Sequence, residues 1–200
     1  MFFDANFAIF AAINTILIMF TIITPKKAIS TTFYKLPVLQ SEIDKLSANL
    51  DTYLNSGKDN ESEEYHKGLI KDFFAKTWYD PEYSVNTNGR EDLVVYNGTG
   101  TESKPAVIIE AKSPSNTSEM FSEKNPNCKA LQECVYYFMQ ESLKYGNNEV
   151  KHVVITNYTD FYIFDAKDFG RFFLAKTNPI VNQFNKFEAK QLSDTKTSYF

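Results

Sequence analysis

Glu110 and Lys112 directly extend the apolar run Val107, Ile108, Ile109, and charges in that position need a reason. Strand side chains alternate, so Glu110 and Lys112 share one face while Ala111 points to the other. The run 92–96 (DLVVY) precedes 106–111 (AVIIEA) across a Gly-rich loop at 97–105, which reads as a β-hairpin. If the hairpin closes symmetrically about residue 101, Tyr96 faces Ala106 and Asp92 faces Glu110. Asp92, Glu110 and Lys112 then converge. Two carboxylates on adjacent strands can hold a hard divalent cation that keeps most of its waters. An ammonium beside them orients a water or stabilises a developing phosphorane charge. That is the equipment for hydrolysing a phosphodiester.

The competing reading is a strand emerging into solvent, with Glu110 and Lys112 an exposed pair worth well under about 1 kcal/mol. The following helix shifts the balance. Gln132 and Tyr136 are four apart there and project from one face, where an amide and a phenol can contact a phosphate or brace the metal carboxylates. Their alternative is an ordinary helix with a polar edge. Glu64, on the helix before the hairpin, is a candidate upstream acid. It also belongs with Glu61 and Glu63 to an acidic first turn of the kind the helix dipole favours in solvent.

These residues need a scaffold, and the apolar spacing supplies one. Ile43, Leu46, Leu50 and Leu54 recur at three and four and predict a helix over 41–54. A turn at 55–60 leads to a second helix over 61–77, through Tyr65, Leu69, Ile70, Phe73 and Phe74. After the hairpin come a third helix over 129–143 and strands at 150–156 and 161–165. A polar, weakly patterned tail closes the chain, with room for one more helix. The order predicts a mixed α/β core, helices lying on both sides of a small sheet.

Composition narrows the classes. Two hundred residues, 43 % hydrophobic with 18 Phe, 12 Tyr and 1 Trp, exclude a disordered or collagen-like chain and suit one domain. A net charge of −4 gives no global basic field for nucleic acid or an anionic membrane, so a DNA-contacting surface is local or supplied by another module. Cys128 and Cys134 are too few for a disulfide scaffold and are expected as free thiols in a reducing, cytoplasmic compartment. His66 and His152 fall in no metal-ligand spacing, and the loop Asn97-Gly98-Thr99-Gly100-Thr101 lacks the Lys-Ser/Thr of a phosphate-cradling loop. Residues 5–24 carry no charge before Pro25, Lys26 and Lys27, and as a helix would span about 30 Å. The segment 1–24 is therefore read as an apolar amino-terminal helix that anchors the chain in a membrane or lies buried, or as translated sequence ahead of the true start.

The arrangement Asp92 … Glu110-Ala111-Lys112, followed by Gln132-x-x-x-Tyr136, resembles the PD-(D/E)xK nuclease superfamily in its variant with a QxxxY helix. More closely, the strings TPKKA (24–28), ESEEYHKGLIKDFF (61–74), NTNGREDLVVYNG (86–98), VIIEAKSPSNTSEM (107–120), KALQECVYYF (129–138) and VKHVVITNYTDFYIFDA (150–166) resemble the amino-terminal endonuclease region of bacterial type IIG fused restriction-modification enzymes. The resemblance implies a restriction-endonuclease-like core over 25–200 and a type II, site-specific deoxyribonuclease acting on double-stranded DNA with Mg²⁺. It makes Asp92 and Glu110 the metal ligands, Lys112 the catalytic lysine, Gln132 and Tyr136 the supporting pair, and Glu64 an upstream acid. Such enzymes continue into methyltransferase and target-recognition domains, and neither a cofactor glycine loop nor an Asn-Pro-Pro-Tyr motif occurs here. The alternative expectation is a non-catalytic remnant or a subunit docking onto a separately encoded methyltransferase.

Overall fold

The computed structural model describes residues 23–88 and 91–191, with the side chains of Asn88, Glu91 and Asp92 outside that description. Short helices α1 (Pro25–Ala28) and α2 (Thr31–Tyr34) lead into α3 (Gln40–Ser56) and α4 (Glu63–Phe74). Ser62 caps α4 by accepting from the Tyr65 amide, and its first turn carries Glu63 and Glu64. A π-helical turn over Ala75–Tyr79 extends α4 towards the sheet. The five strands are β1 (Val85–Asn88), β2 (Glu91–Tyr96), β3 (Pro105–Ala111), β4 (His152–Thr156) and β5 (Phe161–Asp165). Between β3 and β4 runs α5 (Lys129–Met139) with a π-helical extension over Gln140–Lys144, and α6 (Ala166–Phe173) and α7 (Pro179–Glu188) follow β5.

The sheet runs in the order β1-β2-β3-β4-β5. All neighbours are antiparallel except β3 and β4, which are parallel and joined by the crossover through α5. This is a mixed α/β sheet with helices on both faces, as the element order predicts. Alternation along β3 sorts the core. Ile108 faces the α5, α6 and α7 layer with Val153, Ile155 and Phe169, while Ile109 and Ala111 face the α3 and α4 layer with Ile70, Leu93 and Val154. Burying one such side chain is worth about 1.5–3 kcal/mol, so both layers hold the sheet.

The symmetric hairpin register holds at Leu93↔Ile109, Val94↔Ile108 and Val95↔Val107. It slips at the loop end, where Tyr96 lies opposite Pro105 rather than Ala106. An irregularity next to the turn absorbs the offset without changing which β3 residues face which layer. The strand β1 (VNTN) is an addition to the sequence-predicted elements, and its pairing with β2 gives it strand form.

Helix α3 is fixed by an exchange of bonds with the turn after β4. The Tyr53 hydroxyl donates to the Tyr158 carbonyl at 2.6 Å, and the Tyr158 hydroxyl donates back to the Tyr53 carbonyl. Any side chain at Gly57 would collide with the Tyr158 ring, so this close approach requires glycine. The apolar segment at residues 1–22 lies outside the described residues. Among those described, no helix is long and apolar enough to cross a membrane.

Candidate functional site

Strands β3 and β4 end side by side, with Ala111 paired to Thr156 and the Lys112 amide donating to the Thr156 carbonyl at 2.8 Å. Helix α5 starts from this edge. In open α/β sheets the carboxyl ends of the strands, beside the helix that follows, form the usual ligand crevice. Glu110 and Lys112 sit at that edge and face α5, as alternation dictates once Ile108 does.

Both are buried, at 2 % and 4 % exposure, which removes the solvated-pair reading. The Lys112 ammonium donates to Glu110 Oε1 and, at 2.8 Å, to Glu133 Oε2 on α5. Burial works against the Lys112 charge, but the Glu110 and Glu133 carboxylates outweigh it and hold the group above the ordinary lysine range. Lys112 is therefore protonated at neutral pH and acts as a donor and a fixed positive charge. Two carboxylates share this one ammonium. The half-exposed Lys129 stands 4.0 Å from Glu133 and 3.3 Å from Glu119.

Asp92 lies on β2 one residue beyond the Leu93↔Ile109 pair, so its backbone is next to that of Glu110 on the neighbouring strand. Its side chain lies outside the described residues. Among the described residues, no three His, Cys, Asp or Glu side chains gather as a metal cluster.

The other expected residues lie around this core to different degrees. Gln132 is half-buried and donates to Asn127 Oδ1 at 3.1 Å, tying α5 to the end of the loop that follows Lys112. Tyr136 is buried on the same helix against Phe184 and Phe187 of α7, and its hydroxyl donates to Glu188 Oε1 at 2.9 Å. The same hydroxyl accepts from Gln140 Nε2 at 2.7 Å, so it joins α5 to α7. Glu64 is exposed in the first turn of α4, 3.2 Å from Lys67. That is the arrangement of a solvated acidic first turn.

Glu133 is the residue that spacing arguments passed over. A signal existed: it is the one acid within 129–139, and a lysine extending a buried strand requires an acid from whatever packs on that face. The loop 113–128, long for a connection without helix or strand, passes beside the site. Phe121 pins it by packing on Tyr162 and Phe164, and Glu119 anchors it by accepting from the Ala130 amide at 3.1 Å. Cys134, fully buried next to this cluster, and Cys128 at the start of α5 are free thiols, both pushed up by burial.

No curated protein and no solved structure matches the chain. A family model does match, over residues 23–200, so both layers of the core and the cluster at the end of β3 fall within the matched region. The chain belongs to this family, described as a domain of unknown function, DUF7149.

Proposed function

We propose that this domain is a Mg²⁺-dependent DNA endonuclease of the PD-(D/E)xK kind, similar to the nuclease region of type IIG restriction-modification enzymes. The observation that carries the reading is the Glu110–Lys112 pair, buried at the carboxyl end of β3 and facing the crossover helix. Burying a charged pair is weak as a device for stability, so chemistry is the better reason for its presence. The neighbouring register of Asp92 and the motif strings in order support the same reading.

The donor set suits magnesium. Glu110 and Asp92 offer hard carboxylate oxygens from adjacent strands, and Mg²⁺ is held by one or two carboxylates while keeping several waters. When bound, the cation would polarise the phosphate and lower the pKa of a water. The chain's own part falls to Lys112, whose retained proton lets Nζ orient the attacking water and balance charge gathering on the phosphorane. The water oxygen bonds to phosphorus and gives up a proton to solvent, the bond to the 3′ oxygen breaks and that oxygen takes up a proton, and a 5′-phosphate and a 3′-hydroxyl result. The acidic balance of the chain leaves most DNA contacts to other modules, which include a methyltransferase or specificity subunit.

The test is cleavage of supercoiled plasmid by the full chain with Mg²⁺ or Mn²⁺, beside the double variant Glu110→Gln/Lys112→Met. Cation-dependent nicking in the natural chain and none in the variant supports the reading. Equal nicking in both, or none in either, contradicts it.

A further inference from the structure

Lys112 is held from two elements at once, by Glu110 of β3 and Glu133 of α5. Beyond Glu133 the alternation of charge continues through Lys129 to Glu119 on the loop. On the endonuclease reading, a cation that takes Glu110 competes with Lys112 for the same carboxylate. Two like charges in a buried site repel strongly, and an ammonium left there without a counter-ion is costly. A second carboxylate from a different element removes the conflict. Lys112 can then leave Glu110 to the cation without losing its charge or its place.

We infer that Glu133 is a positioning residue for Lys112, keeping its ammonium buried and in place while a divalent cation occupies Glu110. This rests on the cation-dependent reading above. Glu133 reaches the reaction only through Lys112. Its identity is set by the fold, because Glu133 lies early in α5, where the crossover helix starts from the edge at which β3 ends. Outer partners of this kind shift metal affinity or activity by about 10–100-fold when removed.

The experiment is thermal unfolding of the full chain titrated with Mn²⁺, for the natural sequence, Glu133→Gln and Glu133→Asp. The natural chain gains Tm as Mn²⁺ saturates. Glu133→Gln folds without metal, since Glu110 still pairs Lys112, but needs about 10–100-fold more Mn²⁺ for the same gain. Glu133→Asp restores the carboxylate on a shorter arm and falls between. If Glu133→Gln does not fold, Glu133→Asp alone decides by whether its Mn²⁺ midpoint moves. A Tm lowered equally at every Mn²⁺ concentration, with an unmoved midpoint, overturns the positioning role and leaves the cation reading standing. No Mn²⁺ response in the natural chain overturns both.

Discussion

Helix α5 and its extension touch two polar clusters that use similar groups for different ends. At its carboxyl side, Glu188 of α7 accepts from the Tyr136 hydroxyl at 2.9 Å, Gln140 Nε2 at 3.2 Å and Lys144 Nζ at 2.6 Å. One carboxylate there meets one ammonium at partial exposure, so the account balances and α7 is tied to α5. At its amino side, two carboxylates share one ammonium almost out of water, with the half-exposed Lys129 4.0 Å from Glu133. The first arrangement is what holding a helix in place requires. The second costs desolvation beyond what packing needs, and buried carboxylate oxygens at a strand end suit a cation.

The largest effect expected from this contrast is on Lys112. Lys112→Met removes the ammonium that the buried Glu110 and Glu133 share and should cost about 3–5 kcal/mol, read as a lower urea midpoint. Adding Glu110→Gln should return most of that stability while cleavage stays lost. A mild Lys112→Met would erase the difference between the clusters. Next in size is Tyr136→Phe, which removes a bond to a charged acceptor and should cost about 1–2 kcal/mol by the same measurement. Cation binding should be unchanged in that variant, since the bond it removes ties α5 to Glu188 of α7.

Acid titration sharpens the contrast further. Burial opposes the Glu188 charge, but bonds from Lys144, Tyr136 and Gln140 prevail and hold its carboxyl below the usual range. A depressed folded-state value means that this stability is present above the unfolded value, about 4.3, and is lost as pH falls through the folded one. The Tm of Lys144→Met should therefore fall less steeply below about pH 4 than that of the natural chain. Smallest of all is Glu64→Gln. It breaks a pair between the exposed Glu64 carboxylate and Lys67, should change stability by under about 0.5 kcal/mol, and should leave Mn²⁺ binding unchanged.

The two clusters also show which features a sequence exposes. Glu110 and Lys112 stand out because charges interrupt an apolar strand, and alternation alone puts them on one face. Helices α3, α4 and α5 follow from spacing, although their ends differ by a few residues because π-helical turns continue α4 and α5. Strand β1 was hidden: its residues VNTN show no apolar alternation, and among its described side chains only Val85 is buried in the core. Helices α6 and α7 looked like a polar tail because α6 contains Gly170, and both rely on Phe169, Phe173 and Phe184 reaching the layer beside α5. Tyr136 and Glu188 are 52 positions apart, so no local pattern links them. Reading Gln132 and Tyr136 as one functional pair assumed that a shared helix face means a shared partner. In the structure the Gln132 amide donates to Asn127 and the Tyr136 hydroxyl to Glu188.

The most direct test of the site is Mn²⁺ titration calorimetry on the full chain, beside Asp92→Ala and Glu110→Gln, because cation binding does not depend on DNA-reading modules. One saturable site in the natural chain, lost in both variants, is the predicted result. No binding in the natural chain, or binding unchanged in both variants, would contradict the assignment of Asp92 and Glu110 as the cation ligands.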